Sequence, residues 1–203
     1  MDYIRDPDEI YRRSFEIVAA ETDISGLPSD AASIAHRIVH ACGMPDIVAD
    51  LKISAGAVEA AKAALSAGKP ILADCTMVSS GIIRQRLTNE NEVICTLPAT
   101  PSAESNTRSA NAVDAWLPHL AGALVAIGNA PTALFRLLEL IANDGPKPAV
   151  ILGFPVGFVG AAESKSALAE GSHGVPFITL LGRRGGSAMA AAAVNALATE
   201  SSK

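Results

Sequence analysis

The 203-residue sequence lacks the clustered basic residues of a nucleic-acid-binding protein. Its formal net charge is −5, and its lysines and arginines form no group longer than the pairs Arg12-Arg13 and Arg183-Arg184. Because nucleic acids are bound mainly through their phosphates, a basic surface is needed, and its absence argues against this class. Uncharged apolar runs of about 18 residues are also missing, so we do not expect a membrane protein.

Signals for secretion and for cysteine-based sites are equally scarce. The N-terminus has neither the basic start nor the apolar stretch of a signal peptide, and we therefore expect a cytoplasmic protein. Only three cysteines occur, Cys42, Cys75 and Cys95, and no two of them form a CxxC pair. We expect free thiols in apolar surroundings, without a zinc site or a disulfide framework.

Sequence fingerprints of nucleotide, metal and hydrolase sites are missing too. The chain contains no GxGxxG, no GxxxxGK[ST] and no GxSxG motif. His36 and His40 are four residues apart and share a helix face, but Arg37 stands where a zinc protease carries glutamate, and no third ligand is evident. These absences disfavour a zinc site, a nucleotide-binding site and a serine-hydrolase site.

Five short apolar runs, each followed by a turn and a helix-like segment, dominate the chain after residue 70. The runs are continuous rather than alternating in polarity, which is typical of parallel strands buried on both faces. They predict strands near residues 70–75, 92–97, 123–128, 148–153 and 177–182. Earlier in the chain, helical spacing of apolar residues predicts helices over 7–22, from a Ser29 cap to Cys42, and over 55–67.

This order of elements predicts one domain over residues 1–203. Its fold class is α/β, a doubly wound sheet of about five mainly parallel strands. A helical part over about residues 1–68 is expected to pack around an α/β part over about residues 69–199.

Three of the predicted strands end in loops rich in glycine, over residues 128–132, 153–160 and 182–187. In an open parallel sheet, ligands bind beyond the carboxyl ends of the strands, where loop amides attract anions. Phe154 and Phe158 in the second loop add apolar surface, and we expect both to be exposed. Together the loops favour a large ligand that is part apolar and part anionic, although tight turns without a ligand remain an alternative.

His40 stands at the predicted end of its helix, just before Gly43. A histidine in this position commonly interacts with the negative end of the helix dipole, and catalysis is the second interpretation. The residue pattern alone leaves both open.

Several segments in order along the chain resemble the precorrin-8X methylmutase family. They include the run from Pro155 to Lys165, the Val39-His40-Ala41-Cys42-Gly43 segment and Asn106-Thr107-Arg108-Ser109. The resemblance implies a flavodoxin-like subunit that works as a homodimer without metal or organic cofactor. It implies conversion of precorrin-8X to hydrogenobyrinate by a 1,5-sigmatropic methyl shift in cobalamin biosynthesis, with the product held tightly.

The resemblance also implies roles for individual residues. His40 matches the family's catalytic histidine, which would exchange a proton with the ring, and Ser14 matches its substrate-contacting serine. Arg108 matches an arginine associated with substrate carboxylates, although the preceding segment, 98–104, is shorter and richer in Pro and Ser than is usual in the family. Further substrate-binding residues are expected in the glycine-rich loops: Gly128, Asn129, Thr132, Gly157, Phe158 and Val159.

Three other functions stay open at this point. The substrate could contain cobalt, as in the anaerobic route to cobalamin. The protein could also hold a corrinoid and pass it on without catalysis, or bind flavin or phosphate on the same fold. The missing nucleotide fingerprints disfavour the last of these.

Overall fold

The computed structural model describes residues 1, 3–102 and 105–199. Within them, six strands form one sheet: β1 Leu51–Ile53, β2 Ile71–Ala73, β3 Val93–Ile94, β4 Leu124–Ile127, β5 Val150–Gly153 and β6 Phe177–Leu180. Their order across the sheet is β1-β6-β5-β4-β2-β3. All neighbouring pairs are parallel except β1 with β6. The predicted α/β class and the five parallel strands are confirmed.

The sixth strand, β1, was not predicted from the sequence. It has only three residues and pairs antiparallel to β6, with Leu51 opposite Leu180 and Ile53 opposite Ile178. Lys52 in its centre is exposed, and a 3-10 helix over Pro45–Asp50 runs directly into it. Three residues are too few to show a periodicity, so only the pairing with β6 identifies this segment as a strand.

Eight α-helices flank the sheet in the described part of the chain. They are α1 Pro7–Glu21, α2 Ala32–Cys42, α3 Ala57–Ser66, α4 Thr76–Gly81, α5 Arg108–Asp114, α6 Pro131–Ala142, α7 Ala161–Glu170 and α8 Ser187–Thr199. None is long and apolar enough to cross a membrane. The three helices predicted before residue 70 are present, but Ser29 is not a cap, because α2 begins after Ala31 without a side-chain cap. Gly43 ends α2 as expected, with φ of 69° and its N–H donating to the Val39 carbonyl.

Two apolar layers enclose the sheet. One contains side chains of α2, α3 and α8, for example Ile38, Leu65 and Val194, and the other contains side chains of α5 and α6, with Trp116 and Leu137. The alanine-rich helix α8 is buried from Met189 to Ala198, and its small side chains allow it to pack closely against α2. Helix α1 has no buried residue and packs against α2, so it lies at the outside of the helical layer.

Candidate functional site

The arrangement around His40 brings two predicted site residues into direct contact. His40 is in the last turn of α2, and Ser14 is in the middle of α1. The Oγ atom of Ser14 lies 2.9 Å from Nδ1 of His40. The ring of Phe15 stacks on the imidazole, with the two centroids 4.8 Å apart and the planes 22° apart. Helix α1 therefore fixes both the plane of the imidazole and the partner of one of its nitrogens.

This contact occupies Nδ1 and leaves Nε2 as the nitrogen that can exchange a proton with a ligand. In the neutral ring, a Ser14 hydroxyl that donates to Nδ1 leaves the ring proton on Nε2. In the charged ring both nitrogens carry protons, and the Ser14 oxygen accepts from Nδ1. The charged ring can therefore give its Nε2 proton to a ligand. The neutral ring that remains keeps its proton on Nδ1, donates it to the Ser14 oxygen, and can take a proton back at Nε2.

Two hollows meet at His40. One, of about 270 Å³, lies between α2, α4 and α8 and is lined by Arg37, His40, Ala41, Gly81, Ala188, Ala191, Ala192 and Asn195. The other, of about 190 Å³, lies between α1 and the end of α2 and includes Ser14. A larger hollow of about 640 Å³ lies near Asp23 and Lys52 and includes none of the predicted site residues. The smaller hollows are the better candidates because both are lined by His40 and the second is also lined by Ser14.

The loop after β4 is organised by a buried carboxylate that the sequence analysis missed. Asp74, directly after β2, accepts hydrogen bonds from the backbone N–H groups of Gly128, Asn129 and Ala130 at 2.8–2.9 Å. Burial raises the pKa of Asp74, while the three amide donors oppose that rise. We expected these amides to attract an anionic ligand, but the anion that they bind is part of the chain itself.

Arg108 begins α5, next to the Thr107 side chain that caps this helix. Its guanidinium donates to the Leu97 and Thr100 carbonyls at 3.0 and 3.2 Å, and the arginine remains exposed. The Thr107 hydroxyl donates to Thr132 Oγ1 at 2.8 Å, so this part of the predicted site is linked to the loop after β4. The preceding segment 98–104 is described only as far as residue 102.

The structure corrects the predicted exposure of one aromatic residue in the second loop. Phe154 is fully buried in the core, whereas Phe158 and Val159 are 86% and 88% exposed. Phe154 follows β5 directly and its side chain enters the core, so it cannot cover a ligand. Arg183 from the third loop places its guanidinium 5.6 Å from the centroid of the Phe158 ring. The two loops are joined by hydrogen bonds, including Gly157 N–H to the Arg183 carbonyl at 3.2 Å.

Lys165 is a second buried charged residue whose position the sequence did not reveal. It lies on α7, is fully buried, and its Nζ donates to the Arg184 carbonyl at 2.5 Å. Burial lowers the pKa of Lys165 to about 8, and the nearby carboxylate of Asp50 opposes this shift. The Arg184 side chain in turn bonds Asp46 and Asp50. The hydrogen bond of Lys165 thus connects the third glycine-rich loop to α7 in the protein interior.

In the described chain, His40 and Arg108 make no hydrogen bond, ion pair or ring contact with each other. Among the described residues, no three His, Cys, Asp or Glu side chains are grouped so that they could hold a metal ion. The predicted site residues of the described chain therefore form two groups. Ser14 and His40 lie on α1 and α2, and the others lie near the carboxyl ends of the parallel strands or at the start of α5.

Comparison with known proteins identifies the family. The family model described as "Precorrin-8X methylmutase" matches residues 9–200. The chain is 58% identical to the precorrin-8X methylmutase of Pseudomonas aeruginosa over 98% of this chain and 99% of that protein. It is 34% identical to the cobalt-precorrin-8 methylmutase of Priestia megaterium over 94% of this chain and 87% of that protein. The crystal structure of a precorrin-8X methylmutase from Thermus thermophilus superimposes with a TM-score of 0.87 at 39% identity and covers 96% of each chain. The agreement in sequence along nearly the whole chain, together with the matching fold, shows that this chain is an isomerase of the precorrin-8X methylmutase family.

Proposed function

We propose that the protein converts precorrin-8X to hydrogenobyrinate by a 1,5-sigmatropic methyl shift, with His40 as the proton donor and acceptor. The observation on which this rests is the 2.9 Å contact between Ser14 Oγ and His40 Nδ1. It engages Nδ1 and leaves Nε2 for exchange of a proton with the ring. An imidazole can both donate and accept a proton, which suits it to this exchange.

Apart from this proton exchange, the proposed reaction requires no other chemical step from the protein. The bond between the migrating methyl group and one ring carbon breaks while a bond to another ring carbon forms, so the substrate is neither oxidised nor reduced. His40 donates a proton to a ring nitrogen, which favours the isomer that rearranges, and it takes the proton back afterwards. Phe15 keeps the imidazole plane fixed during both transfers, because its ring stacks on that of His40. No metal or organic cofactor is required for such a step.

The flat, carboxylate-fringed substrate is proposed to lie against the second group of site residues as well. Arg108 is exposed and bears the charge to bind a substrate carboxylate. Thr132 lies beside Arg108, because its hydroxyl is bonded to that of Thr107. The N–H groups of Gly128 and Asn129 are already bound to Asp74, so these two residues would contact the ring as part of the wall and not as hydrogen-bond donors. At the second loop, the space beside Gly157 is open, and the apolar side chains of Phe158 and Val159 are exposed and could contact the ring.

We also propose that the protein works as a homodimer and binds its product tightly. Helix α1 supports the dimer: it buries no residue within the subunit and exposes Ile10, Tyr11 and Ile17. A second copy covering this surface would place more protein beside His40 and Ser14. Light scattering at micromolar concentration should give about twice 20.8 kDa, and a mass near 20.8 kDa would contradict the dimer.

The metal-free substrate is favoured over the cobalt-containing one by the relatives. Two proteins named precorrin-8X methylmutase, from Pseudomonas aeruginosa and a Sinorhizobium species, are 58% and 57% identical to this chain. Those named cobalt-precorrin-8 methylmutase, from Priestia megaterium and Salmonella typhimurium, are 34% and 39% identical. Parallel assays with each substrate distinguish the two.

The test of catalysis is conversion of precorrin-8X, followed by the visible spectrum, in the wild type and in His40→Ala. Loss of general acid catalysis should lower turnover by about 10²–10⁴-fold while ring binding survives. His36→Ala is the matched control, one turn away on α2, and its Nε2 has no hydrogen-bond partner to lose in the described chain. Turnover by His40→Ala at the wild-type rate would show that His40 is not the acid, and binding without turnover in the wild type would favour the carrier.

A further inference from the structure

The guanidinium group of Arg108 is held by two backbone carbonyls and not by a carboxylate. Its Nε donates to the Thr100 carbonyl at 3.2 Å, and its Nη2 donates to the Leu97 carbonyl at 3.0 Å. In the described parts of the chain Arg108 forms no ion pair, whereas Arg136 and Arg184 each bind two acidic side chains. Neutral carbonyls fix the direction of a guanidinium group and leave its positive charge available to an anion.

These two hydrogen bonds use only one edge of the planar group. Nε and Nη2 share that edge, so Nη1 and the second hydrogen of Nη2 form the edge that remains. Because Arg108 is exposed, a ligand can reach it. Two parallel N–H groups match the two oxygens of a carboxylate, and a group whose direction is already fixed loses less conformational entropy on binding. The remaining edge of Arg108 therefore suits a carboxylate of a ligand.

Both carbonyls belong to one short turn after β3, which we call the 96–100 turn after its residues. Its centre is a 3-10 helix over Leu97–Ala99. The Thr100 hydroxyl donates to the Thr96 carbonyl at 2.9 Å, and the Thr100 N–H donates to the Leu97 carbonyl at 3.2 Å. These bonds close the turn, so the two carbonyls that accept from Arg108 keep their positions relative to each other.

Thr96 connects this turn to the helix that carries Arg108. Its hydroxyl donates to the Ala112 carbonyl at 2.7 Å, and Ala112 lies in α5, which begins at Arg108. Beside this bond a hollow of about 520 Å³ opens between the turn and α5, with Thr96, Ala99 and Asn111 in its wall. Because close packing does not join the two elements there, the Thr96 bond helps to set the distance between Arg108 and its carbonyl partners.

We propose that the 96–100 turn orients Arg108 toward a peripheral carboxylate of the ring, and that Thr96 is the positioning residue. The inference rests on the proposed function, in which Arg108 binds such a carboxylate, and adds the residues that fix its direction. Thr96 contacts neither the ring nor the transferred proton, and it acts through the turn and α5. Its side chain is half-buried, which strengthens its hydrogen bond relative to one in water.

A purely structural role for Thr96 predicts a different result. Its hydrogen bond would then stabilise α5 whether or not Arg108 is present. Loss of the hydroxyl would lower the free energy of unfolding and leave ring affinity unchanged, or would lower affinity equally with and without the arginine. Positioning predicts instead that affinity changes only while the arginine is there to be oriented.

The experiment measures the affinity for hydrogenobyrinate by visible absorption in the wild type, Thr96→Val, Arg108→Ala and the double variant. Valine removes the hydroxyl and keeps a branched side chain of similar size, so Thr96→Val should bind about 3–10-fold more weakly. Arg108→Ala should bind about 10–100-fold more weakly, and adding Thr96→Val to it should change affinity by less than about twofold. Thr96→Ser, which retains the donor, should bind as the wild type does.

Two further variants complete the test. Thr100→Val removes the hydroxyl that closes the turn and leaves the backbone bonds of the turn in place, so it should weaken binding about 2–5-fold. Thr88→Val is the matched control. This exposed threonine precedes β3, and in the described chain its hydroxyl bonds only the side chain of Asn89, so its loss should leave affinity unchanged.

The outcomes separate this inference from the proposed function. Normal binding by Thr96→Val, or an equal loss with and without Arg108, would overturn the positioning role and leave the methyl shift intact. Normal binding by Arg108→Ala would overturn both the positioning role and the part of the proposed function that uses Arg108. A wild-type protein that neither binds hydrogenobyrinate nor converts precorrin-8X would overturn the proposed function as a whole.

Thermal unfolding shows whether each variant is folded at the temperature of the titration. If Thr96→Val is not folded, Thr100→Val in the wild-type and Arg108→Ala backgrounds decides the question by the same comparison. A loss that disappears without the arginine supports positioning, and a loss that persists overturns it.

Discussion

Ser14 Oγ lies 2.9 Å from Nδ1 of His40, and these two residues come from different helices, 26 positions apart in the chain. The contact is the main reason why helix α1, which buries none of its own residues, matters for the site. Packed against α2, this helix holds the imidazole in place through one hydroxyl and one aromatic ring.

Ser14→Ala should lower turnover more than binding. Without the hydroxyl, Nδ1 has no partner on α1, and the ring can lose its preferred tautomer and orientation. A neutral hydrogen bond contributes about 0.5–1.5 kcal/mol, so we expect kcat to fall roughly 2–10-fold. Steady-state kinetics of precorrin-8X conversion measures this, and Ser14→Thr, which keeps the hydroxyl, is the control. An unchanged kcat in Ser14→Ala would show that the contact does not assist the proton transfer.

Arg108→Ala should weaken binding of the ring by about 1.5–3 kcal/mol, as expected when a charged donor to a carboxylate is lost. Gly157→Val should weaken it more, because φ of 146° is unfavourable for a β-branched residue and the new side chain would project into open space beside the loop. Titration with hydrogenobyrinate checks both, with the exposed Arg13→Ala as the control for charge. Wild-type affinity in both variants would place the second part of the binding site elsewhere.

Asp74→Asn should destabilise the protein by about 2–4 kcal/mol. The carboxylate accepts three backbone N–H groups, whereas an amide turns one NH2 group toward donors and leaves buried groups unpaired. Denaturant unfolding gives the free energy of unfolding, and Asp30→Asn, at an exposed position, is the control. A loss below about 0.5 kcal/mol would mean that these amides find other partners.

Lys165→Met tests the effect of the buried ammonium on stability as a function of pH. The pKa of this lysine falls from 10.5 to about 8 on folding, so between these values the unfolded chain binds more protons than the folded one. The wild type should therefore become more stable, relative to Lys165→Met, as pH rises from about 8 to about 10.5. Below pH 8 the difference should be constant.

Free energies of unfolding measured in denaturant across this range provide the check. Lys52→Met is the control, because Lys52 is exposed in the centre of β1, and its difference from the wild type should not vary with pH in this way. A flat or falling difference for Lys165 would contradict the lowered pKa.

The sequence by itself determined the framework of this protein. Continuous apolar runs identified the five parallel strands, and helical spacing identified α1, α2 and α3, because burial on both faces and burial on one face leave different periodicities. The resemblance of its motifs to a known family also pointed to His40, Ser14 and Arg108 as site residues, and their roles stay predictions. These features depend on local sequence patterns, which can be recognised without the structure.

Only the tertiary structure showed which contacts those residues make. The strand β1 exists because β6 is there to pair with it, and Phe154 is buried because the core lies beneath its loop. Asp74 meets the amides of Gly128–Ala130 more than 50 residues away, and Ser14 on α1 meets His40 on α2. Such contacts depend on distances between segments that are remote in the chain. No sequence periodicity reflects such contacts. The hydrogen bonds and charges at the site could therefore be identified only from the packing of the helices on the sheet.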